Sequence, residues 1–146
     1  MIYDEFKNKF LTWAIENIEP TRANGYSVCP FARKARLQDR VQFMNAPRGI
    51  YGEFLDFDEE NYDIGIVWLG EFTSGIEDEL ADLRKANPHL LYFLSTTESG
   101  HFVKNFTNCV FIQKKDDIEL KRQVLLKTTY YSDWPKEYFA EIMNNE

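Results

Sequence analysis

Cys29-Pro30-Phe31-Ala32-Arg33-Lys34-Ala35-Arg36 brings a thiol, a proline and three bases into eight residues. Proline suits the first turn of a helix, so this order predicts a helix opening at Cys29. Free backbone N–H groups at a helix start favour negative charge. A thiol placed there, beside Arg and Lys, has a lowered pKa and more thiolate. The same groups would hold phosphate or carboxylate with no thiol chemistry. Arg33 and Arg36, three apart, share a helix face, so one anion could meet both. From Arg22 to Arg48 there are six bases (Arg22, Arg33, Lys34, Arg36, Arg40, Arg48) and one acid, Asp39. The chain as a whole carries 17 bases and 24 acids, net −7. The leading expectation is a small-anion site, for phosphate, carboxylate or a nucleotide-like ligand, built from Cys29, Arg22, Arg33, Lys34 and Arg36. Catalysis by the Cys29 thiol is a sharper alternative. The bland one is a small buried hydrophobe beside solvated bases.

Two further stretches carry chemistry-bearing residues. Ser95-Thr96-Thr97-Glu98-Ser99-Gly100-His101 follows an apolar strand pattern. Ligands in α/β sheets favour the carboxyl ends of strands, so Ser95, Thr97 and His101 are expected to add a second wall to the pocket. Between Glu53 and Asp82 lie eleven acids, with no base between Arg48 and Arg84. Asp56-Phe57-Asp58-Glu59-Glu60 starts like a calcium loop, but Asn61 and Val67 stand where glycine and glutamate are needed, which excludes an EF-hand. The tract reads as a solvated face, or as a surface for a basic protein partner centred on Asp56, Asp58, Glu59 and Glu60. An inhibitor that mimics nucleic acid, as some small viral proteins do, is the extreme form of that reading. It implies binding that weakens steeply with salt. His89 and His101 without clustered cysteines argue against structural zinc. No metal and no cofactor is implied.

These residues need elements to position them. Phe6, Phe10, Trp13, Ala14 and Ile18 recur at helical spacing and predict a helix over 4–18. Pro20 and a polar turn end it, and a short helix to Leu37 follows. Strands are expected at 41–44, 64–69, 90–94 and 108–112, with an ambiguous one at 50–57. Ser74 with Glu77 has capping-box spacing for a helix that Asn87-Pro88 stops. Asp116 or Asp117 could cap a helix to Leu126, and Asp133-Trp134-Pro135 opens a last one. The expected fold is α+β: about four strands in a mixed sheet with helices on one face, ferredoxin-like or a related sandwich. The unit over 64–94 is expected to be a right-handed parallel crossover.

Two resemblances attach to the cysteine segment. Cys-Pro-Phe before a basic helix resembles the active-site start of glutaredoxins and thioredoxin-like proteins. That resemblance implies a thioredoxin-like fold and, with Ala32 in place of the second cysteine, monothiol redox chemistry. Val28-Cys29-Pro30-Phe31-Ala32 through Val41 is similar to a bacterial family of unknown function that carries Leu-Cys-Pro-Phe-Ala after its first helix. That likeness covers about thirty residues and implies a compact α/β fold.

The bulk numbers bound the rest. The 146 residues are expected to form a single α+β domain with a real core. Aromatics at 16% exclude a disordered chain. The acidic balance makes nucleic acid an unlikely partner. No apolar run reaches the roughly 20 residues that span a bilayer, so no membrane partner is expected. The first residues lack a signal-peptide layout. Two cysteines give no disulfide framework, so a reducing cytoplasm is the expected compartment.

Overall fold

The computed structural model describes residues 2–46, 56–70, 75–95, 106 and 108–144. Helix α1 (Tyr3–Trp13) runs directly into a π-helical turn, Ala14–Ile18. Together they cover the single helix expected over 4–18, and they bury Phe6 and Phe10. After a polar turn comes the short α2 (Ala32–Leu37). Asp39 ends it in the left-handed conformation, φ 54°. The Arg40 N–H donates to the Ala35 carbonyl at 2.8 Å and the Asp39 N–H to that of Arg36 at 3.2 Å. This is a Schellman closure. Then follow β1 (Val41–Asn45), β2 (Ile64–Trp68), α3 (Ile76–Ala86), β3 (Leu90–Ser95), β4 (Cys109–Lys114), α4 (Lys115–Leu126) and α5 (Lys136–Asn144).

Several boundaries differ from expectation. Lys114, not Asp116 or Asp117, precedes α4, which leaves β4 with no loop. Gly75 precedes α3 at φ 75°, and Ser74 lies outside the described residues. So does most of the ambiguous segment 50–57; its last two residues, Asp56 and Phe57, belong to no strand.

The sheet order is β1-β2-β4-β3. β1 and β2 are parallel with Val41 opposite Ile64. β4 is antiparallel to both β2 and β3, placing Ile64 opposite Gln113 and Phe93 opposite Phe111. A four-stranded mixed sheet with helices is the α+β class read from the sequence. β2 and β3 are mutually parallel, joined through α3, with β4 inserted between them. This split βαβ unit is the building block of ferredoxin-like sandwiches; here it occurs once, with β1 added beside it. The thioredoxin-like alternative needs a strand directly before the cysteine. Among the described residues, α1 and a turn precede Cys29 instead.

Alternation along each strand sends side chains to opposite faces. One face carries Val41, Phe43, Ile64, Ile66, Trp68, Cys109 and Phe111, packed under Phe6, Phe10 and Trp13 of α1. The other carries Met44, Val67, Tyr92, Val110 and Ile112 under Ile76 and Leu80 of α3. The helices therefore divide between both faces rather than gathering on one. Gly65 keeps the α3 face tight: a Cβ there would meet Met44 Cε and Phe57 Cδ1 at 3.0 Å. On the α1 face, α1 covers the β1–β2 side. The β3–β4 side is left to α4 and the C-terminal aromatic residues, and the site lies there.

Candidate functional site

Cys29 does not open the helix. Phe31 is the N-cap of α2, so Cys29 lies three residues before the first helical position. Its carbonyl accepts the Ala32 N–H at 3.2 Å. Burial pushes its thiol pKa up, against the smaller opposing pull of the Phe31 and Ala32 N–H groups and the Lys121 charge. The expected lowered pKa is thus reversed. Desolvation disfavours the thiolate more than a short turn and one ammonium favour it.

The expected bases do not converge on Cys29. Arg36 is forked onto the Glu19 carboxylate at 2.7 and 2.8 Å. Arg33 and Lys34 are exposed on α2. A shared anion between Arg33 and Arg36 would have to displace that bidentate pair. Arg22 pairs with Asp133 at 2.7 Å and its guanidinium lies 5.6 Å from the Tyr130 ring centroid. Beside it, Asn24 Nδ2 donates to the Tyr130 carbonyl at 2.9 Å. Arg22 therefore fastens the turn after α1 to the C-terminal segment. Ser95 is buried, and its hydroxyl donates to the Phe106 carbonyl at 2.5 Å. Thr97 and His101 lie outside the described residues.

The acidic tract is partly spent internally. Asp58 accepts the Asn61 side chain at 2.8 Å, and that hydrogen bond holds its carboxyl below the usual carboxylate range. Glu59 meets His89 at 3.0 Å. Asp63 takes the Arg40 fork at 2.9 and 3.0 Å. Asp56 and Glu60 are exposed. Among the described residues, no group of three or more His, Cys, Asp or Glu could hold a metal ion, and no helix is long and apolar enough to cross a membrane.

What the fold does build around Cys29 is a cavity of about 680 Å³. Its floor is the α1 face of the sheet: Ile64, Phe93, Ser95, Phe111 and Gln113. Trp13, Ile18 and the segment 28–31 form one side. The π-helical turn sets that side, since it rotates Ile18 relative to an unbroken α-helix; such turns are frequent at functional sites. The opposite side is α4, whose Ile118, Lys121, Arg122 and Leu125 recur at i, i+3, i+4, i+7 and so share one face. The roof is Tyr130, Tyr131, Trp134, Tyr138, Glu141 and Ile142. These rings interlock: Tyr131–Trp134 centroids are 4.7 Å apart at 72°, and Trp134–Tyr138 are 4.9 Å apart at 22°. The Tyr130 hydroxyl donates to the Val28 carbonyl, closing roof to side.

Two cations share this apolar space. Lys121 Nζ lies 4.9 Å from the Phe31 ring centroid, a cation–π contact. Arg122 is half-buried, with Nη1 3.5 Å from the Ile142 carbonyl. Burial pushes its pKa down from a very high ordinary value, against the pull of Tyr131, Glu119 and the other roof tyrosines. Burial pushes the phenols of Tyr130, Tyr131 and Tyr138 up, so these three side chains stay protonated at neutral pH, and Glu141 is the acid among the roof residues.

Sequence reasoning missed α4 and the roof as site residues. A signal was present: Lys121-Arg122 followed within twenty residues by Tyr130, Tyr131, Trp134, Tyr138 and Phe139. Comparison of the chain with protein-family models, curated proteins and solved structures gives no match.

Proposed function

We propose that the protein binds a small organic anion in the cavity between the β3–β4 side of the sheet, α4 and the C-terminal roof. One observation carries this reading. Lys121 and Arg122, two cations against the single acid Glu141, stand on the wall of a cavity of about 680 Å³ with eight aromatic lining residues, in a chain of net charge −7. Ligand pockets are typically about 300–1,000 Å³, apolar, with a few placed polar groups. A cation at reduced dielectric attracts a carboxylate or phosphate more strongly than one in bulk water. The acidic remainder of the surface disfavours anions elsewhere. The anion-binding expectation therefore moves from α2 to α4, and Cys29 becomes part of the wall. A thiol held protonated gives little support to nucleophilic or monothiol redox chemistry. The acidic-face reading is weakened in turn, because Asp58 and Glu59 are engaged within the molecule.

The test is calorimetric titration with two carboxylates and their uncharged primary amides: 2-naphthoate with 2-naphthamide, and decanoate with decanamide. The acids are expected to bind about tenfold more tightly than the amides, a difference of about 1.4 kcal/mol. Lys121→Met with Arg122→Met should erase that preference. Equal affinity of acid and amide, or no binding of either acid, would overturn the proposal.

A further inference from the structure

Resting on that reading, we infer that the ligand is a planar aromatic anion, its ring slotted between the Phe93–Phe111 floor and the Trp134–Tyr138 roof with its charge directed to Lys121. Three observations lead there. First, the floor presents ring surface. Phe93 and Phe111 are directly opposite across the β3–β4 ladder and both line the cavity, and Phe93 is 37% exposed although large and apolar. A side chain of that size on a sheet face is normally covered.

Second, the roof rings interlock. Trp134 is stacked on Tyr138 at 22° and edge-locked to Tyr131 at 72°, while Tyr131 meets Phe139 at 5.2 Å. An acyl chain is best taken up by adaptable aliphatic or methionine side chains that repack around it. Aromatic rings that line one cavity from both the sheet and the C-terminal segment instead favour a flat ring in offset or edge-to-face contact. Third, the two cations have different neighbours. Arg122 lies against the roof, with Nη1 3.5 Å from the Ile142 carbonyl, whereas Lys121 rests over Phe31 on the side wall that also holds Cys29. Aromatic faces are electronegative and repel an anion placed over them, so the ligand's charge and ring must separate, the charge toward the side wall.

The same titration panel tests this along its other axis, supplemented by Phe93→Leu, which alters a half-exposed ring and spares the fully buried core. 2-Naphthoate is expected to bind at least tenfold more tightly than decanoate. Phe93→Leu should weaken naphthoate severalfold and leave decanoate within twofold. Decanoate binding as tightly as naphthoate, with both acids preferred over their amides, would overturn this inference and leave the anion site standing. Loss of the acid-over-amide preference would instead remove the site itself. Trp13 also lines the cavity, so ring contact with Trp134 is read as the quenching of tryptophan fluorescence by naphthoate that is lost in Trp134→Phe, and quenching unchanged in that variant would also overturn the slot.

Discussion

Alkylation of Cys29 should be slow at neutral pH, because burial holds the thiol protonated and the Phe31 and Ala32 N–H groups with Lys121 offset only part of that. Cys109 stays silent in the same experiment: it is fully buried, with its thiol pushed up to about 12. The rate measured against pH should therefore report Cys29 alone and show a midpoint above the ordinary thiol value of about 8.5. Lys121→Met should raise that midpoint further, since a favourable charge on the thiolate has gone. A bound anion beside Lys121 should act in the same direction and protect the thiol. A midpoint below 8.5 would contradict the burial argument. The cysteine was conspicuous in the sequence for its neighbours, Pro30 and the three bases. Its environment is decided by residues more than ninety positions away, Lys121 and Tyr130, and no local pattern announces those.

At the scale of elements, the local signals were strong where one element's own chemistry decides. Ile64–Trp68 is a strand because β-branched and aromatic residues fit a pleated, half-buried surface. α3 stops at Asn87 because Pro88 cannot continue it. The Ala14–Ile18 π-helical turn was invisible, since a one-residue shift in hydrogen bonding leaves apolar spacing almost unchanged. The end of α2 offers a test of a different local rule. Asp39 occupies the left-handed position that glycine fills in most Schellman closures. An L-residue there costs about 1–2 kcal/mol relative to ordinary helical backbone. Asp39 is exposed, so Asp39→Gly should stabilise the protein by about 0.5–1 kcal/mol in urea unfolding. A lower midpoint in the variant would show that the carboxylate contributes more than the backbone strain costs.

For the whole molecule, the site is a product of topology. Trp13, Cys29, Phe93, Lys121 and Trp134 come from five stretches of chain, and only the finished sheet with α4 laid over it brings them together. That is why the fold class was legible in the sequence while the cavity was not. The roof also sets an alkaline limit. Burial raises the phenols of Tyr130, Tyr131 and Tyr138 above their unfolded value, which is about 10. Below that pH both states hold these protons and the full stabilisation is present. Above it the unfolded chain releases them first, so stability falls as pH rises. The urea midpoint should hold up to about pH 9.5 and drop between there and about pH 11, and Tyr138→Phe should make the drop shallower. A midpoint constant across that range would mean these phenols titrate as in the unfolded chain.

The placement of β4 between β2 and β3 has a consequence for synthesis. Both neighbours leave the ribosome before the strand that joins them. At about 5–20 residues per second, residues 96–114 take on the order of seconds to appear. Until then the β1–β2 pair and β3 have nothing to zip them together, and the facing edges of β2 and β3 are open to other chains. Nascent or truncated forms lacking Cys109–Lys114 cannot complete the sheet. Such forms are the ones expected to aggregate, and slowing translation before residue 109 should lower soluble yield.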